Sequence, residues 1–232
     1  MTTVAGVDGC RAGWVVVTVD VDGRAKPSMR VAVSLGPIVQ QVRRGELAAV
    51  GLDMPIGLAT DGKRAADREA RALLGPRRSS LFPTPPAAVL DAVDYADALA
   101  RCRAACGVGI SKQTFNLLPK MREVARWVTP ELQPAISEVH PETSFAVMRG
   151  APCAHAKRTA AGIEERREAL RAHVGETVDA ALEQRPPGVQ PDDVLDAFAA
   201  AWTARRMASG EAMWLGERDA RDNRGFRLTI AV

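Results

Sequence analysis

Three segments that the sequence predicts as β-strands end on or beside an acidic residue: Asp8, Asp53 and Glu138. The carboxyl ends of parallel strands meet at one edge of an open sheet, and functional groups collect there. Each carboxylate taken singly also fits a turn or a solvated rim. Together at one edge they would repel one another unless a positive charge lay between them. The strand ends therefore predict a cation site built from carboxylates.

A predicted helix near the end of the chain, Pro191–Ser209, carries three aspartates, two of which are candidates for the same site. Asp193 and Asp196 are three residues apart and therefore share one face of that helix. The same face continues in small residues, which allow a helix to approach a sheet closely. These residues are Ala197, Ala200 and Ala204. A carboxylate in the first turn also fits the helix dipole, but Asp196 lies deeper in the helix between apolar residues, which favours a ligand role.

This set of carboxylates has no histidine or cysteine partners, which is typical of sites for hard cations such as Mg²⁺ and Mn²⁺. Two such ions about 4 Å apart can activate a water molecule and stabilise the leaving oxygen of a phosphodiester. In that arrangement Asp8 contacts both ions, while Asp53 and either Asp193 or Asp196 complete one coordination shell each. The predicted metal ligands are therefore Asp8, Asp53, Asp193 and Asp196, and Glu138 is a fifth catalytic candidate.

The order of predicted elements places these acids on an α/β fold. Hairpin turns and one helical crossover connect the first four strands, so the first and fourth strands can lie parallel and adjacent in a mixed sheet. These strands are predicted at Val4–Asp8, Trp14–Val19, Met29–Val33 and Ala48–Asp53, with a helix at Pro37–Arg44. Two later strands are predicted at Ile136–Val139 and Arg227–Ala231.

Helices fill most of the remaining chain. They are predicted at Lys63–Leu74, Ala87–Cys106, from Lys112 onward, Pro141–Arg149, Gly162–Val174, Glu176–Gln184 and Pro191–Ser209. Ser111 fits the N-cap of the helix that begins at Lys112. Pro119 is predicted to kink or split that helix, because proline lacks the amide hydrogen that an interior position donates.

Length and composition favour one elaborated soluble domain, with 232 residues, 47% hydrophobic and 25% charged. A net charge of +3 argues against a polybasic nucleic-acid coat, and 4% aromatic residues argue against a binder that stacks bases on many exposed rings. No apolar run approaches the ~20 residues of a membrane span, and the N-terminus lacks the features of a signal peptide, so a cytoplasmic protein without membrane contact is expected. The four cysteines show no zinc-binding pattern.

Six motifs spread over nearly the whole chain resemble the domain of unknown function 429 family. They are VDGCRAGW (7–14), LDMPIGL (52–58), GPRRSSLFPTPP (75–86), GISKQTFNL (109–117), EVHPE (138–142) and PDDVLDA (191–197). The resemblance implies one RNase H-like domain over residues 1–232, in which helices flank a mixed five-stranded sheet and a helical insertion after strand four covers about 60–133. The family is regarded as a predicted nuclease, and the last motif is similar to the metal-binding helix of bacterial Holliday-junction resolvases.

Basic and hydroxyl side chains in these motifs and in the loop near 157 suit contacts with phosphate groups. Several lie in an arginine- and serine-rich loop or open a helix, whose N-terminus favours anions. The predicted substrate-binding residues are Arg11, Arg77, Arg78, Ser111, Lys112 and Lys157. For Lys157 an ordinary solvated position is an equal alternative. His140 fits either a proton shuttle or metal ligand, or a structural position before Pro141.

The residues and the resemblance favour a metal-dependent phosphodiesterase that acts on DNA or structured RNA and holds backbone and shape rather than bases. An actin-like phosphotransferase is the second hypothesis, because residues 8–13 resemble a phosphate-binding hairpin, although the chain shows one such hairpin and no repeat. The third is a non-catalytic binding module with the same fold. The type of nucleic acid and the formation of a homodimer are left open.

Overall fold

A hairpin of two apolar strands begins the sheet in the computed structural model, which describes residues 2–232. In this hairpin β1 (Thr3–Cys10) and β2 (Gly13–Asp20) are antiparallel, and Cys10 lies opposite Gly13. The turn requires Gly13, whose φ of 136° lies in a region that other residues rarely adopt. β3 (Ser28–Ala32) then pairs antiparallel with β2.

A helical crossover makes the sheet mixed. α1 (Gly36–Arg43) carries the chain back across the sheet to β4 (Ala49–Asp53), which lies parallel to β1. β5 (Ile136–Glu138) lies parallel to β4 on its other side and completes the strand order β3-β2-β1-β4-β5. The predicted α/β fold with a mixed five-stranded sheet flanked by helices is confirmed.

The segment between β4 and β5 is helical, as predicted for an insertion after strand four. It contains α2 (Ala65–Leu74), α3 (Tyr95–Cys106) and α4 (Lys112–Trp127), with 3₁₀ turns at Gly75–Ser80, Ala87–Asp91 and Pro130–Leu132. The prediction of one helix over Ala87–Cys106 was wrong. Asp94 interrupts that segment, because its side chain accepts a hydrogen bond from Asp97 N and caps a new helix.

Pro119 does not split α4, which runs without a break over its sixteen residues. The helix buries one face against the core, and this face consists of Thr114, Leu118, Met121 and Val124. Burying a large apolar side chain contributes about 1.5–3 kcal/mol, so several of them offset the roughly 3 kcal/mol cost of an interior proline. Tertiary packing therefore overrides the local signal of Pro119.

Four helices and a short two-stranded ribbon follow β5. The helices are α5 (Pro141–Arg149), α6 (Ala160–Val174), α7 (Thr177–Glu183) and α8 (Pro191–Ser209). The strand predicted at Arg227–Ala231 is shorter, since β7 (Ile230–Ala231) pairs with a two-residue partner, β6 (Trp214–Leu215), that the sequence did not reveal. Among residues 2–232, no helix has the length and apolar character needed to cross a membrane.

The sheet separates two apolar layers. Alternate residues of a strand point to opposite faces. Val7 and Leu52 face the layer formed with α1, α3 and α4, whereas Val4 and Ala49 face the layer formed with α5, α6, α7 and α8. The position of a residue along β1 or β4 therefore decides which layer its side chain enters.

Two glycines let α8 lie directly on the sheet. A methyl group at Gly6 would stand 2.1 Å from the Ala197 oxygen, and one at Gly51 would stand 2.4 Å from the Ala200 oxygen. No other residue type leaves room for a helix backbone this close to a strand. The predicted approach of the alanine face of α8 to the sheet is confirmed by these contacts.

Replacing Gly6 with alanine is expected to destabilise the protein. The added methyl group meets backbone atoms of α8, and overpacking of this kind costs about 1–3 kcal/mol. Denaturant unfolding should show this loss for Gly6→Ala. In Gly9→Ala, on the same strand, the new methyl group meets only flexible side chains, the nearest atom 3.5 Å away, so its stability should stay within about 1 kcal/mol of the parent. Equal stability of the two variants would contradict the close contact.

Candidate metal centre

Three carboxylates meet where α8 crosses the carboxyl ends of β1 and β4. Asp8 and Asp53 are direct neighbours across these parallel strands, and each lies two residues after a glycine that contacts α8. Because residues two apart share a strand face, both aspartates point toward α8. Asp196 lies about one helical turn before Ala200, which contacts Gly51, and it therefore reaches the same place.

The three side chains are close enough to share a cation. One oxygen from each of Asp8, Asp53 and Asp196 lies within 4.8 Å of the other two. Asp8 is 7% exposed and Asp196 is 1% exposed. Oδ1 of Asp196 is buried and has no hydrogen-bond partner among residues 2–232. A buried carboxylate oxygen without a partner is costly, and a positively charged ligand held by the cluster would remove that cost.

Burial raises the pKa of every member of the cluster, and repulsion within the cluster adds to the rise for Asp8 and Asp53. Burial is the larger cause for Asp8, whose pKa lies well above its usual range, and repulsion from Asp53 and Asp196 adds to it. The pKa of Asp53 rises to about 7 through burial and the charge of Asp196. Burial also raises the pKa of Asp196, against the opposing charge of Lys157. Full ionisation of the cluster near neutral pH is therefore favoured by a bound cation.

Lys157 supplies a positive charge to this cluster from the loop before α6. Its Nζ donates a hydrogen bond to Asp196 Oδ2 at 2.5 Å and lies 3.8 Å from Asp192 Oδ2. Burial would lower the pKa of this lysine, but the charges of the three clustered aspartates outweigh burial and raise the pKa above its usual range. Its side chain is 40% exposed, so the ammonium group has a path to solvent. Lys157 is thus a predicted substrate-binding residue that the structure joins directly to the acidic cluster.

The Glu138 side chain lies on the face of the sheet opposite the three aspartates. In the pairing of β4 with β5 it is aligned with Leu52 rather than Asp53, and one residue of register moves a side chain to the other face. Arg64 binds both of its carboxylate oxygens, at 2.6 and 2.8 Å, and Ile56 N donates to one of them at 2.9 Å. Glu138 is therefore held in a buried ion pair and does not join the three aspartates, although the sequence placed it with them.

Sequence reasoning missed Arg64, which is 5% exposed at the start of α2. Its guanidinium also donates to Asp67 Oδ1 and to Gly57 O, at 3.0 and 2.8 Å. Burial disfavours its charge, but the Glu138 and Asp67 carboxylates together outweigh burial and raise the pKa of Arg64. Burial in turn raises the pKa of Glu138, with Arg64 opposing it. The two partners are 74 residues apart in the chain, so no local pattern indicates the pair.

A second buried ion pair lies close to Asp196. Arg166 on α6 is fully buried and donates to both carboxylate oxygens of Glu142 on α5, at 2.7 and 2.8 Å. Its charge reaches the cluster, because Arg166 is one of the groups that oppose the raised pKa of Asp196. This pair was also missed, since 24 residues separate its members and helix periodicity alone does not identify a buried arginine.

Asp193 caps α8 and lies beside the cluster rather than in it. Its Oδ2 accepts a hydrogen bond from Gln190 N at 2.8 Å, as part of a capping box. Its carboxylate is not among the three whose oxygens converge. The preceding Asp192 pairs with Arg158 at 3.1 Å. Of the two aspartates that the sequence offered as metal ligands on this helix, the geometry favours Asp196.

The other predicted substrate-binding residues lie on the surface of the described chain. Arg11, Arg78, Ser111 and Lys112 are exposed, and Arg77 is half-buried. Arg11 occupies the turn that follows the strand carrying Asp8. Ser111 caps α4 as predicted, accepting a hydrogen bond from Thr114 N at 3.0 Å. None of these side chains has a direct contact with the three aspartates within residues 2–232.

Two further titratable groups lie beside the strand ends. Burial and the charge of Lys157 lower the pKa of His140 to about 4, so its imidazole is neutral near pH 7, and its Nδ1 has no partner in the described chain. This leaves both a structural role and a ligand role open for His140. Lys120, which the sequence did not indicate, donates to Gly13 O and lies 4.2 Å from the Trp14 ring centroid. Burial lowers its pKa, although the nearby acids oppose this.

Comparison with known proteins agrees with the sequence motifs. Residues 6–220, nearly the whole of the chain, match the family described as "Protein of unknown function (DUF429)". No curated protein and no solved structure matches the chain. Because the match covers far more than half of its length, the chain belongs to the DUF429 family of proteins of unknown function.

Proposed function

We propose that this protein is a divalent-metal-dependent phosphodiesterase that acts on nucleic acid. The observation that carries the proposal is the convergence of Asp8, Asp53 and Asp196, with Oδ1 of Asp196 buried and unpartnered among residues 2–232. Three carboxylates forced together against their own repulsion are costly for the fold, and a cation that binds them offsets this cost. Structural sites rarely need such an arrangement at the carboxyl ends of parallel strands, where ligands usually bind.

The donor set fits a hard divalent ion. Carboxylate oxygens are the ligands that Mg²⁺ and Mn²⁺ prefer, and sites for these ions commonly combine a few carboxylates with substrate phosphate oxygens. No cysteine belongs to the cluster, so softer ions such as Zn²⁺ are less suited to it. We expect Asp8, Asp53 and Asp196 to hold the metal, with two ions per chain when substrate phosphate is present.

A bound Mg²⁺ or Mn²⁺ would polarise a phosphodiester and make a water molecule more acidic. The residues of the chain would orient the substrate. Lys157 lies at the cluster, and its ammonium group would be free to donate hydrogen bonds to a phosphate oxygen if Asp196 held a metal ion instead. Arg11, exposed in the turn after β1, is placed to contact an adjoining phosphate. These contacts read the backbone of nucleic acid and carry no base specificity.

Hydrolysis of a panel of single strands, duplexes, DNA–RNA hybrids and junctions in Mn²⁺ tests this proposal. The wild-type protein is expected to cleave at least one substrate, and EDTA should stop the reaction. Asp8→Asn should lower the rate by more than about 100-fold, which exceeds the usual effect of groups outside the metal ligands. Circular dichroism spectra should show that the variant is folded.

Asp97→Asn is the matched control, because Asp97 is an aspartate of α3 paired with Arg101 at the surface. It should cleave at the wild-type rate. Full activity of Asp8→Asn would contradict the proposal. A rise in melting temperature with Mn²⁺ but no cleavage of any substrate would instead favour a non-catalytic module, and ATP binding in calorimetry would favour a phosphotransferase.

A further inference from the structure

Phe82 is the one exposed aromatic residue among residues 2–232, whereas the other rings are buried or half-buried. The protein has five phenylalanines, four tryptophans and one tyrosine. Phe82 is 42% exposed, and the other large apolar side chains exposed in residues 2–232 are valine, leucine or methionine. An exposed aromatic ring beside a candidate site offers a flat apolar surface on which a base can stack.

Phe82 lies at the edge of the candidate metal centre. Together with Asp53 and His140 it lines a small cavity of ≈ 50 Å³ at the carboxyl ends of β4 and β5. This cavity is too small for a nucleotide. A nucleotide near Asp53 would therefore meet the exposed face of the ring rather than enter the cavity.

The loop holds Phe82 in place from both sides. On one side Leu81 is buried and its carbonyl oxygen accepts a hydrogen bond from Arg71 Nη2 at 3.0 Å. On the other side Thr84 is buried and donates to Asp67 through both its amide and its hydroxyl, each at 3.3 Å. Pro83, next to the ring, restricts the backbone further. A ring presented by a fixed loop loses little conformational entropy when it stacks on a flat ligand.

Basic and hydroxyl side chains precede Phe82 in the same loop, and both types suit contacts with the phosphate of a nucleotide. Arg78 and Ser79 are exposed in the 3₁₀ turn Gly75–Ser80, which ends two residues before the ring. Two acids beside this loop, Asp67 and Glu138, are both paired with Arg64. A cation for phosphate, a hydroxyl donor and an aromatic surface in one loop are the combination that proteins use for unpaired nucleotides.

We propose that Phe82 stacks on an unpaired nucleobase of the substrate and so directs the enzyme to single-stranded or locally unpaired nucleic acid. This inference rests on the proposed function, because it names the substrate class of the same site. Stacking on one ring tolerates every base, so no sequence preference is expected from it. The ring also sets the position of the strand relative to Asp53.

Binding of fluorescent oligonucleotides tests this role, with all proteins carrying Asp8→Asn to prevent cleavage. Phe82→Ala should weaken binding of single strands by about 5- to 150-fold, the range for losing one base–aromatic stack. Phe82→Trp should restore the affinity. An abasic strand of equal length should bind the parent and Phe82→Ala equally, because only backbone contacts remain. When 2-aminopurine replaces one base at a time along the strand, its fluorescence should change on binding at one position, and that change should disappear in Phe82→Ala.

Val93→Ala is the matched control, since Val93 is an apolar side chain that is 87% exposed on another loop. It should bind single strands like the parent. Equal affinity of the parent and Phe82→Ala for the normal strand would overturn the stacking role, as would an equal loss on the abasic strand. The proposed function fails by a separate result, namely no Mn²⁺-dependent hydrolysis of bis(p-nitrophenyl) phosphate, which lacks bases, or of any nucleic acid by the wild-type protein.

Discussion

Arg64→Met is expected to lower the free energy of unfolding by about 3–5 kcal/mol. The Arg64 side chain is 1% exposed and pairs with both Asp67 and Glu138, at 2.5 and 2.6 Å. Methionine preserves much of the volume but leaves two buried carboxylates without a cation, which is more costly than the loss of the pair itself. Denaturant unfolding at mildly alkaline pH measures the effect.

Two further variants test whether the loss of stability in Arg64→Met comes from the broken buried ion pair. Arg101→Met removes an arginine from an exposed pair with Asp97 and should lower the free energy of unfolding by less than about 1 kcal/mol. Arg64→Met combined with Glu138→Gln should be more stable than Arg64→Met alone, because one buried charge has been removed. The deficit of Arg64→Met should also shrink at mildly acidic pH, since protonation of Glu138 then occurs in the folded state. A loss no larger than that of Arg101→Met would show that the buried pair is not important for stability.

Lys157→Met is expected to tighten Mn²⁺ binding by at least about 10-fold, equivalent to about 1.4 kcal/mol. Lys157 is the internal cation of the cluster, with its Nζ 2.5 Å from Asp196, and a metal ion must compete with it. Attraction between unit charges at this distance is of the order of 2–7 kcal/mol, from the dielectric of water to that near a protein surface. Titration calorimetry at a fixed pH measures the affinity directly, without reference to turnover.

Although Lys157→Met should tighten Mn²⁺ binding, it should lower the stability of the metal-free protein. Without metal, Lys157→Met leaves three repelling aspartates without their cation, so its melting temperature should fall below that of the wild type. In saturating Mn²⁺ the two melting temperatures should converge. Arg158→Met is the control, because Arg158 is 78% exposed and pairs with Asp192 alone, and its Mn²⁺ affinity should match the wild type. Weaker Mn²⁺ binding by Lys157→Met would show that the lysine organises the site for metal instead of competing with it.

The acidic positions contribute to different properties of the protein. Glu138, on the opposite face of the sheet, belongs to an ion pair that holds α2 to β5. Asp8 and Asp53 form the cluster because they are strand neighbours on the face that α8 covers. Variants of Glu138 should therefore mainly change stability, whereas variants of Asp8 and Asp53 should mainly change metal binding.

Much of the fold and the core of the site could be read from local patterns. Apolar runs ended by acids indicated the strands of Asp8 and Asp53, and the three-residue spacing with a small-residue face indicated how Asp196 approaches them. The glycine two residues before each strand aspartate was present in the sequence as well. Side chains repeat their direction every two residues along a strand and every 3.6 residues along a helix. Both periods are local properties, so the sequence alone reveals them.

Only the tertiary structure decided which charges meet. Register places Glu138 opposite Leu52 and thus on the other face from Asp53, and no sequence pattern specifies a register of one residue. The partners Lys157–Asp196 and Arg64–Glu138 are 39 and 74 residues apart, so their meeting depends on the packing of whole elements. The sequence by itself determined an acidic cluster on an α/β sheet. Folding determined that Lys157 pairs with this cluster, that Glu138 lies outside it and that Phe82 is exposed near Asp53, because these features depend on contacts between distant segments.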